Sequence, residues 1–156
     1  MSKKEPPEQA DQTQLGQNAK KWGEKTWGAG WVGIPDALLH GQARLNISAA
    51  ELSVLLQLLR RWWRVDEEAF PSRQTIADAT GQSVRTVQRA LDGLVRGGFI
   101  EKRHRRKNGG YTSNAYSFDG LIEALKPIAE ELREEREKRQ AAKQGITQRK
   151  SRRKKS

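Results

Sequence analysis

The sequence has no cysteine, and its only two histidines, His40 and His104, lie far apart. The lack of cysteine excludes disulfide bonds, thiol nucleophiles and zinc sites built on thiolates. No run of eighteen apolar residues occurs, so the sequence offers no candidate membrane-spanning helix. The N-terminal lysines are not followed by the apolar core of a secretory signal. We therefore expect a protein of the reducing cytoplasm that has no membrane partner.

Sequence motifs of catalysis are missing as well. The sequence contains no P-loop, no paired carboxylate motif, no metal-ligand cluster and no nucleophile–base pattern. We expect no enzymatic activity, no cofactor, no bound metal and no small-molecule substrate.

Positive charge is what the chain has in excess. Its formal net charge is +11, and charged residues make up 31% of the sequence. Such a surplus favours a polyanionic partner, because each lysine or arginine placed on a phosphate releases condensed counterions. Nucleic acid is the commoner partner of this kind, since a membrane surface requires a basic amphipathic helix and none is evident.

The N-terminal region changes composition abruptly at residue 22. Residues 1–21 contain one leucine and no aromatic residue, so they bury too little apolar surface to offset the cost of ordering. We predict a disordered tail there. Trp22, Trp27 and Trp31 follow, separated by glycines. Rings of this size belong in the core of the domain or, alternatively, on a surface that stacks bases or holds a partner.

Two helices are predicted next. Pro35 suits the first position of a short helix that Gly41 ends. Ser48 and Glu51 have the spacing of a capping box, which begins a longer helix. Its apolar stripe is predicted to contain Leu52, Leu55, Leu56, Leu59 and Trp63.

We place the domain at residues 22–126 and predict that the C-terminal region lies outside it. Asp119 can cap a helix, and Pro127 is expected to kink it or divide it in two. Residues 127–142 are dominated by charge and predict a solvated helix. Residues 143–156 contain seven basic residues and no acidic one, which predicts a disordered basic tail.

The most informative segment covers residues 70–100. Ser72 and Ser83 can each cap a helix, and Gly81 lies where the chain must turn between them. The second helix has a predicted apolar face made of Val87, Ala90, Leu91 and Leu94. Its opposite face contains Arg85, Gln88, Arg89, Asp92 and Arg96. Two short helices joined in this way predict a helix-turn-helix, whose second helix fits the DNA major groove.

A basic hairpin follows the second helix. Residues 101–107 contain five basic residues and one acidic residue, and Asn108-Gly109-Gly110 is a hairpin-turn sequence. The returning strand, residues 111–118, places Tyr116 and Phe118 on one face, where we expect them to contact the core. A cationic ribbon in this position can lie along the phosphate backbone or enter the minor groove.

The run FPSRQTIADATGQSVRTVQRALDGLVRGGFIEKR resembles the winged helix-turn-helix domains of bacterial regulators and of phage or plasmid replication initiators. It is most similar to a helix-turn-helix group common on mobile elements, in which a Ser-Asn-x-Tyr stretch often follows the wing. Residues 113–116 match that stretch, and the resemblance covers roughly residues 31–126. The resemblance implies a mainly α fold with a small β-hairpin wing. Gln82 departs from the group, which usually has a small aliphatic residue after the turn glycine. The glutamine can pack its methylene stem or turn its amide toward DNA.

The resemblance and the outward face together assign candidate roles. The candidates for base contacts are Ser83, Arg85, Thr86, Gln88 and Arg89, with arginine suited to guanine and glutamine to adenine. The candidates for contacts with the DNA backbone are Arg73, Lys102, Arg103, Arg105 and Arg106.

Three functions are compatible with these features. The first hypothesis is a sequence-specific transcriptional regulator that binds double-stranded DNA in the nucleoid. The second is a plasmid or phage replication-initiation or maintenance protein that uses the same domain. The third is a protein-interaction module that docks a partner through the winged fold and the tryptophans. Homodimerisation through the flanking segments is left open as a hypothesis.

Overall fold

The computed structural model describes residues 16–104, 106–107, 109–111 and 114–154. The chain forms two units, the first ending at Gly33 and the second beginning at Ile34. In the first unit, helix α1 covers residues 16–22 and α2 is Glu24–Gly28. The second unit contains α3 (Asp36–His40), α4 (Ala49–Leu59), α5 (Arg73–Thr80), α6 (Val84–Arg96), β1 (Glu101–Arg103), β2 (Arg106–Lys107), β3 (Gly110–Tyr111), β4 (Ala115–Ser117) and α7 (Asp119–Lys154).

The first unit differs from the sequence prediction in two ways. Residues 16–21, predicted to be disordered, are helical, since this stretch contains neither proline nor a β-branched residue. The predicted domain boundary at residue 22 is replaced by one between Gly33 and Ile34, so Trp22, Trp27 and Trp31 belong to the first unit. The rest of the predicted tail, residues 1–15, lies outside the described residues.

Local capping signals set the helix starts in the second unit. The Ser48 hydroxyl accepts from the Glu51 amide at 3.1 Å, and the Glu51 carboxylate accepts from the Ser48 amide at 2.9 Å. The predicted capping box of α4 is therefore confirmed. Pro35 immediately precedes α3, one residue before its predicted place, and Gly41 follows the helix as predicted.

The buried face of α4 was predicted only in part. Leu55 is fully buried as expected, but Val54 and Leu58 are its companions in the core. Trp63, predicted to continue the stripe, is 75% exposed. The helix ends at Leu59, so helical spacing no longer determines where Trp63 points.

Three chain segments pair at the base of the wing. β1 and β4 are antiparallel, with Lys102 opposite Tyr116, and β2 pairs with β3 further out. On the other side, the Tyr116 amide donates to the Ala69 carbonyl at 2.8 Å. Tyr116 and Phe118 are buried in the core, which confirms their predicted role. The Phe118 ring also contacts Trp62, with the ring centroids 5.0 Å apart.

Helix α7 is longer and more continuous than predicted. It runs through Pro127, where a break or a kink was expected, and continues to Lys154 through the predicted disordered tail. Leu125 and Ile128, on either side of the proline, are buried in the core, and this packing offsets the backbone hydrogen bond that Pro127 cannot donate. The charged continuation is rich in strong helix formers, and Glu135 pairs with Arg139 one turn later.

Packing of α4, α5 and α6 forms the centre of the second unit, and α3 packs against α7. The order of elements is α4, the Ala69 bridge, α5, α6, β1 and β4. This is a winged helix-turn-helix, mainly α with a small antiparallel wing, as the sequence predicts. Among the described residues, no helix is long and apolar enough to cross a membrane.

Gly120 provides a test of this packing. A Cβ atom at Gly120 would lie 1.8 Å from the Gly98 carbonyl oxygen, which belongs to rigid backbone. We expect Gly120→Ala to lower the free energy of unfolding by about 2 kcal/mol or more, measured by urea denaturation. The matched control is Gly145→Ala in the same helix, where an added Cβ meets nothing within 4 Å. Equal stability of the two variants would contradict the close approach of α7 to the end of α6.

Candidate nucleic-acid interface

The turn between α5 and α6 has the geometry that the sequence predicts. The Ser72 hydroxyl accepts from the Thr75 amide at 3.0 Å, and the Ser83 hydroxyl accepts from the Thr86 amide at 3.1 Å. Between the helices, Gly81 has φ +68°, a left-handed conformation that residues with a Cβ rarely adopt. The caps at Ser72 and Ser83 set where α5 and α6 begin, and Gly81 ends α5 between them.

The two faces of α6 separate as predicted. Val87, Ala90, Leu91 and Leu94 are buried in the core. Arg85 and Arg89, one turn apart on the opposite face, are exposed. Within the part of the chain that the structure describes, neither guanidinium has an ion-pair or hydrogen-bond partner. The helix therefore presents two unpaired cations to its surroundings.

Gln88 is held by its neighbours in a way the sequence analysis did not anticipate. Its amide oxygen accepts a short hydrogen bond from Arg73 of α5, and its amide nitrogen donates to Asp92 at 2.7 Å. Both functional groups of the side chain are thus engaged. Arg73 and Gln88, predicted to contact phosphate and base separately, are brought together. The i,i+4 spacing of Gln88 and Asp92 was the available sequence signal.

Tyr116, in strand β4 of the wing, interacts electrostatically with Arg73 and Asp92. Burial raises the pKa of the Tyr116 phenol above its usual value, while a hydrogen bond with Asn114 and the positive charge of Arg73 act in the opposite direction. The negative charge of Asp92 raises the same pKa further. Arg73, Gln88, Asp92, Asn114 and Tyr116, here called the polar latch, therefore lie together where α5, α6 and β4 meet.

Ser83 and Thr86 are already engaged at the start of α6. Their hydroxyl oxygens lie 2.9 Å apart, and Ser83 also accepts the capping hydrogen bond. Gln82, just before them, is half-buried, and its amide oxygen is buried without a hydrogen-bond partner among the described residues. Of the two alternatives for Gln82, the structure favours the one in which this side chain packs inward.

The wing residues have different environments. Lys102 is exposed and has no ion-pair partner within the described ranges. One terminal nitrogen of Arg103 lies 2.9 Å from a Glu68 carboxylate oxygen, and the other lies 3.8 Å from a Glu101 carboxylate oxygen. Among the described residues, this Glu68 oxygen accepts no directional hydrogen bond, so its contact with Arg103 is mainly electrostatic. Arg105 lies outside the described residues, and the backbone of Arg106 is in β2.

No metal site accompanies these groups in the part of the chain that is described: its histidines and carboxylates form no cluster of three able to hold an ion.

The family model of the DnaD N-terminal domain matches residues 34–139 of this chain. This range covers more than half of the chain and begins where the second unit begins. The chain belongs to the DnaD N-terminal domain family. No curated protein matches the sequence.

Solved structures similar to this DnaD N-terminal domain protein include three from microbial sources. The DnaD N-terminal domain of Geobacillus kaustophilus is 21% identical with a TM-score of 0.48, over 83% of this chain and 96% of that one. MepR of S. aureus, in complex with DNA, is 16% identical with a TM-score of 0.44, over 71% and 87% of the two chains. A possible transcriptional regulator from Methanosarcina mazei is 19% identical with a TM-score of 0.43, over 63% and 80%.

The raised pKa of the Tyr116 phenol predicts how the stability of the protein changes at alkaline pH. Because the pKa of Tyr116 is raised in the folded protein, its contribution to stability is complete below the unfolded value of about 10 and is lost as the pH rises above it. We expect Tyr116→Phe to reduce the loss of stability between about pH 9 and pH 11, measured by urea denaturation at each pH. Parallel pH profiles for the two proteins would contradict the assignment of this titration to Tyr116.

Proposed function

We propose that this protein binds double-stranded DNA with sequence preference, placing α6 in the major groove and the wing along the sugar–phosphate backbone. The observation that carries the proposal is the division of α6 into a buried apolar face and an exposed face with two unpaired arginines. An exposed helix of about 10–12 Å diameter fits the width of the major groove. The net charge of +11 supports a polyanionic partner.

Arg85 and Arg89 are the principal candidates for reading bases. They lie four residues apart, which separates them by roughly 6 Å along the helix axis. The two side chains can therefore contact neighbouring base pairs. Each guanidinium can donate two parallel hydrogen bonds to guanine. Ser83 and Thr86, at the N-terminal end of α6, remain secondary candidates. Gln88 must give up Arg73 and Asp92 before it can pair with adenine.

The DNA backbone contacts are assigned to basic residues around this helix. Lys102 is available without rearrangement, whereas Arg103 must exchange the Glu68 carboxylate for a phosphate. Arg73 can contact a phosphate once Gln88 turns toward a base. Arg105 and Arg106 are assigned to the same group of backbone contacts from the sequence alone. Phosphate contacts of this kind set orientation and affinity but not sequence preference.

Two biological roles are compatible with this complex of protein and duplex DNA: replication initiation or maintenance, and transcriptional regulation. Membership of the DnaD N-terminal domain family supports the replication-initiation or maintenance hypothesis, while transcriptional regulation remains compatible with the fold. Mapping the bound sites in cells separates them, because enrichment at a replication origin indicates the first role and enrichment at promoters the second. A twofold-symmetric binding motif would support the homodimer hypothesis.

Selection of bound duplexes from random DNA is the direct test, followed by substitution of the arginines. We expect Arg85→Ala and Arg89→Ala each to weaken binding of the selected sequence about tenfold and to relax its preference at one position. Arg133→Ala is the matched control, because it removes the same charge from an exposed position of α7. Equal affinity of the unchanged protein for all duplexes would contradict sequence-specific binding.

A separate prediction concerns the basic residues of the segment 143–156. Deleting residues 143–156 removes seven basic residues. We expect the dependence of affinity on salt to become less steep, because fewer counterions are released, while the selected sequence stays the same. Fluorescence anisotropy between about 50 and 200 mM salt measures the slope. A changed binding motif would show that this segment reads bases.

A further inference from the structure

The first unit contains three tryptophans that the duplex site does not use. Trp27 and Trp31 stack with their ring centroids 5.4 Å apart and their planes 2° from parallel. Trp31 is 53% exposed and Trp22 is 58% exposed. Three tryptophans this close together, two of them largely exposed, are not accounted for by the core of the domain.

The parallel stack depends on the backbone between the two rings. Helix α2 ends at Gly28, and Gly30 has φ +116°, a conformation that side chains with a Cβ rarely adopt. The chain is therefore no longer helical when it reaches Trp31. A continued helix would have rotated Trp31 about 40° around the axis from Trp27. The turn instead places the second ring flat against the first.

A cavity of about 410 Å³ lies beside these rings. Trp22, Trp27 and Trp31 form its apolar walls, and Asn18 and Thr26 contribute an amide and a hydroxyl. Ligand sites typically have volumes of about 300–1,000 Å³ and combine apolar walls with a few polar groups. The cavity therefore has the size and the chemistry to receive a flat heteroaromatic group.

The charge around the rings favours an anionic ligand. Lys20, Lys21 and Lys25 lie in this short segment with one acidic residue, Glu24. The Lys21 ammonium lies 5.5 Å from the centroid of the Trp22 ring. A partner with a purely apolar surface would gain nothing from these cations. A polymer with flat bases and a phosphate backbone satisfies both the rings and the lysines.

We propose that Trp22, Trp27 and Trp31, here called the tryptophan platform, bind unpaired bases of single-stranded DNA. An unpaired base can continue the Trp27–Trp31 stack on the exposed side, while the lysines neutralise the adjoining phosphates. Duplex DNA is excluded because its bases are already stacked on one another. All residues of the platform belong to the first unit, so single-strand binding there does not require the duplex site in the second unit.

The test uses the full chain and a fluorescent single strand of twelve thymidines. We expect Trp22→Ala and Trp31→Ala each to weaken its binding about tenfold, the effect typical of losing one stacked base. Trp31→Phe keeps an aromatic ring and should retain most of the affinity. The matched control is Trp63→Ala, which removes a ring that is 75% exposed outside the platform and should leave binding unchanged.

An abasic strand of the same length and charge separates stacking from electrostatics. We expect the unchanged protein to bind the abasic strand about as weakly as Trp31→Ala binds thymidines. Arg85→Ala should weaken duplex binding and leave single-strand binding intact, so failure of the duplex site and failure of the platform are distinguishable. Circular dichroism checks that each variant keeps its helix content.

Two results would overturn the proposal. One is equal affinity of the unchanged protein for thymidine and abasic strands. The other is sedimentation data in which Trp22→Ala and Trp31→Ala convert a dimer into monomers while single-strand binding stays the same. The latter would identify the platform as an interface between two copies of this chain.

Discussion

The burial of one face of α6 is the constraint on which the rest of the site depends. Val87, Ala90, Leu91 and Leu94 pack into a core shared with α4 and α5, so the helix has a single favourable rotation about its axis. Burying four such side chains contributes several kcal/mol at about 25 cal/mol per Å², and turning the helix would expose them all. Arg85 and Arg89 therefore face outward because the opposite face must face inward.

The polar latch fixes the orientation of Gln88 and contributes only a small net stability. Hydrogen bonds such as those from Arg73 to Gln88 and from Gln88 to Asp92 contribute about 0.5–1.5 kcal/mol each in net terms. A bidentate contact with the correct base contributes about 1–3 kcal/mol of discrimination. The exchange of one set for the other is therefore nearly balanced. In the proposed complex, Gln88 would turn toward DNA only at a base that offers both a donor and an acceptor, and the latch would then act as a filter on sequence.

What the sequence predicted well was encoded locally. The caps at Ser48, Ser72 and Ser83 depend on residues three positions apart, and the turn at Gly81 depends on one glycine. The inward face of α6 follows from helical spacing within thirteen residues. These features need no knowledge of the rest of the chain.

What the sequence analysis missed depends on distant contacts or on where an element ends. Tyr116 meets Arg73 and Asp92 because β4 pairs beside Ala69, and no local pattern records that pairing. Trp63 was misplaced because α4 ends at Leu59, and Pro127 is tolerated because α7 packs against the core on either side of it. The helix beyond residue 143 shows that a run of basic residues does not by itself predict disorder. Tertiary packing, helix propensity or the position of a helix end therefore outweighed the local sequence pattern.

Trp62 and Trp63 show that residue type alone does not identify a binding surface. The two residues are neighbours, yet Trp62 packs against Phe118 in the core and Trp63 is largely in water. An exposed tryptophan alone therefore indicates nothing about a ligand. What distinguishes Trp22, Trp27 and Trp31 is the combination of a parallel stack, a cavity beside it and lysines close to the rings. A protein that bound duplex grooves through one unit and unpaired bases through another would discriminate between DNA structures as well as sequences, because a major groove exists only in the duplex and unpaired bases only in single strands.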